Sequence, residues 1–109
     1  MRDRTRHCLE DMLESGRTAL RYVDEDREGW RHDDLRLDAI LRRVGVVGEA
    51  AARVPVADRD QFPEIAWREI IGLRQHIVHR YDRVDLDILD AVMRRDLPNL
   101  VHQLDALLS

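Results

Sequence analysis

Apolar residues recur along this chain at intervals of three and four, the spacing that gathers them on one face of an α-helix. Over residues 5–24 the apolar stripe is Cys8, Met12, Leu13, Ala19, Leu20 and Val23, with Glu10, Asp11, Glu14, Arg17 and Arg21 elsewhere. The spacing predicts a first helix there. Residues 24–32 are charged and contain Gly29, so they read as a connection, with Trp30 packing down as an anchor. A second helix is predicted from Asp33 or Asp34, either of which suits an N-cap, to residue 53. Its broad apolar face is Leu37, Ile40, Leu41, Val44, Val47, Ala51 and Ala52. Gly45 and Gly48 lie inside it, where each glycine costs about 1 kcal/mol against alanine. Tight packing against another backbone is the expected return.

Pro55 ends the second helix, and residues 54–62 are expected to loop with at most one helical turn. Pro63 suits the first turn of a third helix over 63–80, with Ala66, Ile70, Leu73, Ile77 and Val78 inward. A short link follows, and Asp85 is the expected cap of the last helix. That helix carries Ile88, Leu89, Val92, Met93, Leu97, Leu100, Val101, Leu104, Leu107 and Leu108, with Pro98 placed to kink or divide it. Four main helices joined by short links predict an all-α, up-and-down bundle forming a single domain over residues 1–109.

Composition narrows the class. Of 109 residues, 44% are hydrophobic and 37% charged, which suits a globular helical protein and excludes a disordered one. Five glycines and three prolines supply too few turns for a β-sandwich. The net charge of −4 argues against a general nucleic-acid coat while leaving room for a local basic site. All 18 basic residues are Arg, the side chain that meets phosphate with paired hydrogen bonds, although codon bias explains such usage more readily. Cys8, the one cysteine, has no internal disulfide partner and falls in the apolar stripe of the first helix. The first residues carry no signal-peptide pattern, and no run approaches the ~18 apolar residues of a membrane span, so a cytoplasmic protein without a membrane role is expected.

The chemistry concentrates in Arg74-Gln75-His76-Ile77-Val78-His79-Arg80-Tyr81. It joins a fixed cation, a group that moves protons near neutral pH, and a phenol. Such a set can hold and cut a phosphodiester with no metal or other cofactor. His79 would move the proton. Arg74 would stabilise the crowded phosphorane. Tyr81 and Gln75 would orient phosphates, and Arg80 and Arg83 would guide the backbone. On an unbroken helix, however, Arg74 and His79 stand ~140° apart. Either the helix unwinds near His79, or a twofold dimer completes the site with a second copy. Glu49, just after Gly48, is a candidate to orient Arg74, or else an ordinary surface residue. His76 and His79 share a face, but Asp82 is the one nearby third ligand, which disfavours a zinc site. Tyr22 and Trp67 read as packing residues, since 5% aromatics leave little surface for stacking bases.

The run Trp67-Arg68-Glu69-Ile70-Ile71-Gly72-Leu73-Arg74, followed by His79-Arg80-Tyr81 and Val84-Asp85, resembles the HepT-like group of HEPN-domain proteins. So do Ala39-Ile40-Leu41-Arg42-Arg43, Gly48-Glu49-Ala50-Ala51 and Asp96-Leu97-Pro98. The resemblance covers about residues 5–108. It implies a small helical homodimer that acts as a toxin ribonuclease on RNA, with Arg74 and His79 catalytic. It also implies an antitoxin partner, a minimal nucleotidyltransferase of the MntA-like kind, that transfers AMP onto Tyr81. Three positions depart from the group's pattern: Gln75 stands where Asn is frequent, His76 where an apolar residue is usual, and Ala66 where Pro often precedes the Trp, which would let the helix start earlier. An alternative of another class is a non-catalytic helical module that binds a nucleotide or the transferase, acting in turn as its antitoxin.

Overall fold

The computed structural model describes residues 1–80 and 83–109; Tyr81 and Asp82 lie outside the described residues. Helix α1 spans Asp3–Asp24 and α2 spans Asp34–Arg53, and the two pack along each other. Asp33 caps α2 by accepting from the Arg36 backbone N–H, as its side chain and position lead one to expect. Between them a single 3₁₀ turn, Trp30–His32, seats the Trp30 ring in the core.

After α2 comes one helical turn, α3 (Val56–Arg59). Asp58 on it is buried and accepts from the Arg2 guanidinium at 2.8 Å and from the Thr5 hydroxyl. Those two hydrogen bonds hold its carboxyl below the usual carboxylate range. The third helix is shorter than its periodicity suggests. Phe62 and Ile65 are buried in the connection, and helix begins only at α4 (Trp67–Ile71), so neither Pro63 nor an earlier start opens it. The Trp67 indole N–H donates to the Arg59 and Phe62 carbonyls, which makes this ring a strut for the loop. Gly72 separates α4 from α5 (Leu73–Ile77).

Helix α5 stops at Ile77, ahead of the expected end at Arg80. Val78 is extended and bridges Val84 in antiparallel fashion. His79 donates its N–H to the Arg83 carbonyl, and Asp85 donates to the Ile77 carbonyl, both at 2.8 Å. Asp85 then caps α6 (Leu86–Ala91) through Ile88 N–H. A π-helical turn, Val92–Asp96, joins α6 to α7 (Leu97–Leu108). The interruption expected at Pro98 takes this form. A proline lacks the N–H for an α-bond and its ring crowds the carbonyl four residues back. Widening the preceding turn, with Leu97 N–H bonded to the Val92 carbonyl, lets the helix run on. Helix α7 returns against α1, while α4 and α5 lie on α2. One core, drawn from Leu9, Met12, Ile40, Val44, Ile77, Leu89 and Leu104 among others, joins these helices.

Candidate active site

Arg74 lies on α5 where that helix crosses α2. A methyl group built on Gly45 would stand 3.3 Å from Arg74 Cδ, so the absence of a side chain there makes the bed for the arginine's stem. Three residues on, a methyl on Gly48 would meet the Ile70 and Ile71 carbonyl oxygens at 3.0 and 3.3 Å. Gly48 thus permits the close backbone approach expected of it, and Gly45 shapes the seat of a charged group. Asp38, Arg42 and Glu49 lie along the same groove as Arg74, on one stripe of α2. Glu49 shares the groove, but no hydrogen bond or ion pair joins it to Arg74.

His79 sits elsewhere. Because α5 ends at Ile77, the imidazole is carried by the paired segment rather than by the helix. Side chains alternate across such a pair. Val78 and Val84 fall on one face and line the Arg74 groove, whereas His79, Arg83 and Asp85 fall on the other and line a separate concavity. Val84 touches both. Within one chain, then, unwinding near His79 does occur, yet among the described residues Arg74 and His79 do not line one groove. The His79 Nε2 stands 3.7 Å from an Asp85 carboxylate oxygen.

The other expected positions are distributed around these two. Gln75, Arg80 and Arg83 are exposed. His76 is exposed and borders a third groove with Arg68, Arg95 and Asp96, away from Arg74. Tyr81 lies outside the described residues, as does Asp82. Among the described residues no three His, Cys, Asp or Glu side chains cluster as a metal ion requires. No described helix is long and apolar enough to cross a membrane. Two features escaped the sequence reading: Gly45 as the bed of Arg74, and Asp85 as the neighbour of His79 as well as a helix cap. The second was accessible in principle, since a chain reversal just after Ile77 makes residues 79 and 85 diagonal cross-strand neighbours.

A helical bundle that sets an arginine in a groove and carries a histidine on a reversal just beyond it fits the HEPN class. Residues 12–107 match the family model described as Ribonuclease HepT-like. "Putative RNase MJ1380" of Methanocaldococcus jannaschii is 26% identical over 98 residues, which span 89% of this chain and 90% of that protein. "Probable ribonuclease HepT" of Thermococcus cleftensis is 30% identical over 95 residues, 83% of this chain and 86% of the relative. "Gamma-glutamylcyclotransferase and putative RNase MJ0434" of M. jannaschii is 28% identical over 105 residues, but the chain spans only 47% of that longer protein. No solved structure matches. The chain belongs to the HepT-like ribonuclease family and is an endoribonuclease by class.

Proposed function

We propose that the chain is the toxin of a two-protein pair, that it cuts RNA through Arg74 and His79 without a metal, and that a nucleotidyltransferase of the MntA-like kind restrains it. The 2′-oxygen attacks the adjacent phosphorus while its proton passes to His79. The bond from phosphorus to the 5′-oxygen breaks, and that oxygen leaves with a proton from water. The products are a 2′,3′-cyclic phosphate end and a 5′-hydroxyl end. Arg74 holds the equatorial oxygens of the phosphorane with paired hydrogen bonds. Gln75, Arg80 and Arg83 are exposed and free to follow the flanking phosphates.

The observation that carries this reading is the match of residues 12–107 to the HepT-like ribonuclease family, with Arg74 and His79 lining neighbouring but separate concavities that share Val84. A site needing both is then completed by a second copy across a twofold axis, each chain giving its arginine to the other's histidine. Control falls to Tyr81, whose phenol oxygen would attack the α-phosphorus of ATP and release pyrophosphate, with the partner as catalyst. The added AMP brings bulk and negative charge into the phosphate path. The setting is cytoplasmic. The test is expression of the wild type beside Arg74→Ala and His79→Ala, following growth and the integrity of total RNA. Both variants should fold and lose growth arrest and RNA breakdown; arrest and breakdown unchanged in both would leave the motif a binding role only.

A further inference from the structure

Asp85 is fixed from two directions before its side chain meets anything catalytic. Its N–H donates to the Ile77 carbonyl at 2.8 Å, closing the reversal that follows α5. Its Oδ1 accepts from Ile88 N–H at 3.0 Å and so caps α6. With one carboxylate oxygen held by the cap, the orientation of the other is set as well. Oδ2 faces His79 Nε2 at 3.7 Å, within ion-pair reach though longer than a hydrogen bond. His79 is tethered in the same way, by its own N–H to the Arg83 carbonyl. The two side chains therefore meet because the backbone of the reversal and the start of α6 place them, at a point where His79 is otherwise half exposed, its side chain 55% accessible.

The geometry points to Asp85 as the positioning residue of His79: its free carboxylate oxygen draws the Nε2–H toward itself, selects that tautomer, and leaves Nδ1 as the nitrogen that takes the proton from the nucleophile. A third group that orients a base is the general logic of activated nucleophiles. Among the described residues, the other charged groups lining this concavity are Arg83 and Asp87. Asp87 lies beyond ion-pair distance of the imidazole with its side chain fully in solvent, and it makes its own contact with Arg31. Among the described residues, Asp85 is the carboxylate within ion-pair reach of His79. This inference rests on the reading of His79 as the proton-moving group.

The dual role makes the test clean. Asn and Ser cap helices about as well as Asp, so Asp85→Asn and Asp85→Ser keep α6 while changing what faces His79. Asn, with its one oxygen held by the cap, turns its NH2 toward Nε2 and disfavours the Nε2–H tautomer, and Ser caps the helix while leaving nothing in reach of the imidazole. Cleavage of a mixed-sequence fluorogenic RNA should fall from wild type in both Asp85→Asn and Asp85→Ser, by roughly tenfold or more and in kcat rather than KM. Thermal unfolding should stay within a few degrees across the three. In ¹⁵N spectra of labelled protein, the His79 ring should favour the Nε2–H tautomer in the wild type and lose that preference in Asp85→Ser. Equal kcat in all three with His79→Ala inactive overturns the role of Asp85 alone. Full activity in His79→Ala overturns the underlying reading instead. Absence of any tautomer preference in the wild type also overturns the role proposed for Asp85.

Discussion

Gly45 and Gly48 stand one turn apart on α2, yet a side chain at each would meet different kinds of neighbour. At Gly48 the obstacle is backbone: two carbonyl oxygens of α4, at 3.0 and 3.3 Å. Neither can move without shifting a helix, so Gly48→Ala should destabilise by about 1–3 kcal/mol, more than the helix propensity gained, and denaturant unfolding measures it. At Gly45 the obstacle is the stem of Arg74 at 3.3 Å, a flexible side chain that can be displaced. Gly45→Ala should therefore leave stability level or slightly raised while moving the guanidinium, and on the role proposed for Arg74 RNA cleavage should fall roughly tenfold, since small misplacements of a catalytic group are costly. Cleavage at the wild-type level in a well-folded Gly45→Ala would separate the seat of Arg74 from its function. In the sequence the two glycines look alike, and only the register of α5 against α2 distinguishes them.

At the scale of elements, much of the bundle was legible. The boundaries of α1, α2 and the last helix follow from apolar periodicity together with Asp33 and Asp85, caps whose chemistry is local. The third helix was not legible, because its ends are set by tertiary contacts. Trp67 spends its indole N–H on the preceding loop, and Val78 leaves the helix to bridge Val84, a partner the periodic pattern does not name. That same departure decides the candidate site, since it moves His79 off the helix and beside Asp85. The break at Gly72 offers a test at this scale. Its φ of −89° and ψ of 5° are open to any residue, and a methyl there would stand 3.5 Å from the Arg68 carbonyl oxygen, an ordinary contact. Gly72→Ala should stabilise the protein by about 0.4–1 kcal/mol through the unfolded chain, seen as a rise in Tm. A fall would mean that the slack between α4 and α5 is itself required.

At the scale of the whole molecule, two long-range dependences follow. The first ties the start of the chain to α3 through Asp58, whose carboxyl the Arg2 and Thr5 hydrogen bonds hold below its usual range. A carboxylate with a depressed folded pKa adds stability above its unfolded value and loses it as pH falls through the folded one. Asp58→Asn should thus be less stable than wild type at pH 7, and the gap should close as the pH drops below about 4, the unfolded Asp range, in unfolding curves taken at several pH values. A gap independent of pH would assign the loss to packing alone. The second concerns assembly. If each active centre takes Arg74 from one protomer and His79 from the other, Arg74→Ala and His79→Ala chains are each inactive alone but complementary when mixed. In a mixed dimer one centre carries both lesions and the other carries neither. Random re-pairing of equal amounts makes half the dimers mixed, each with one intact centre, so about a quarter of wild-type cleavage should return. A centre built within one chain cannot be rescued this way, because every such centre keeps its own lesion whatever it pairs with. Recovery on mixing, absent when either variant is mixed with the double variant, would place the two groups across the twofold axis. No recovery despite mixed dimers detected by mass would return the chemistry to a single chain, with a rearrangement that brings both groups to the same side of Val84.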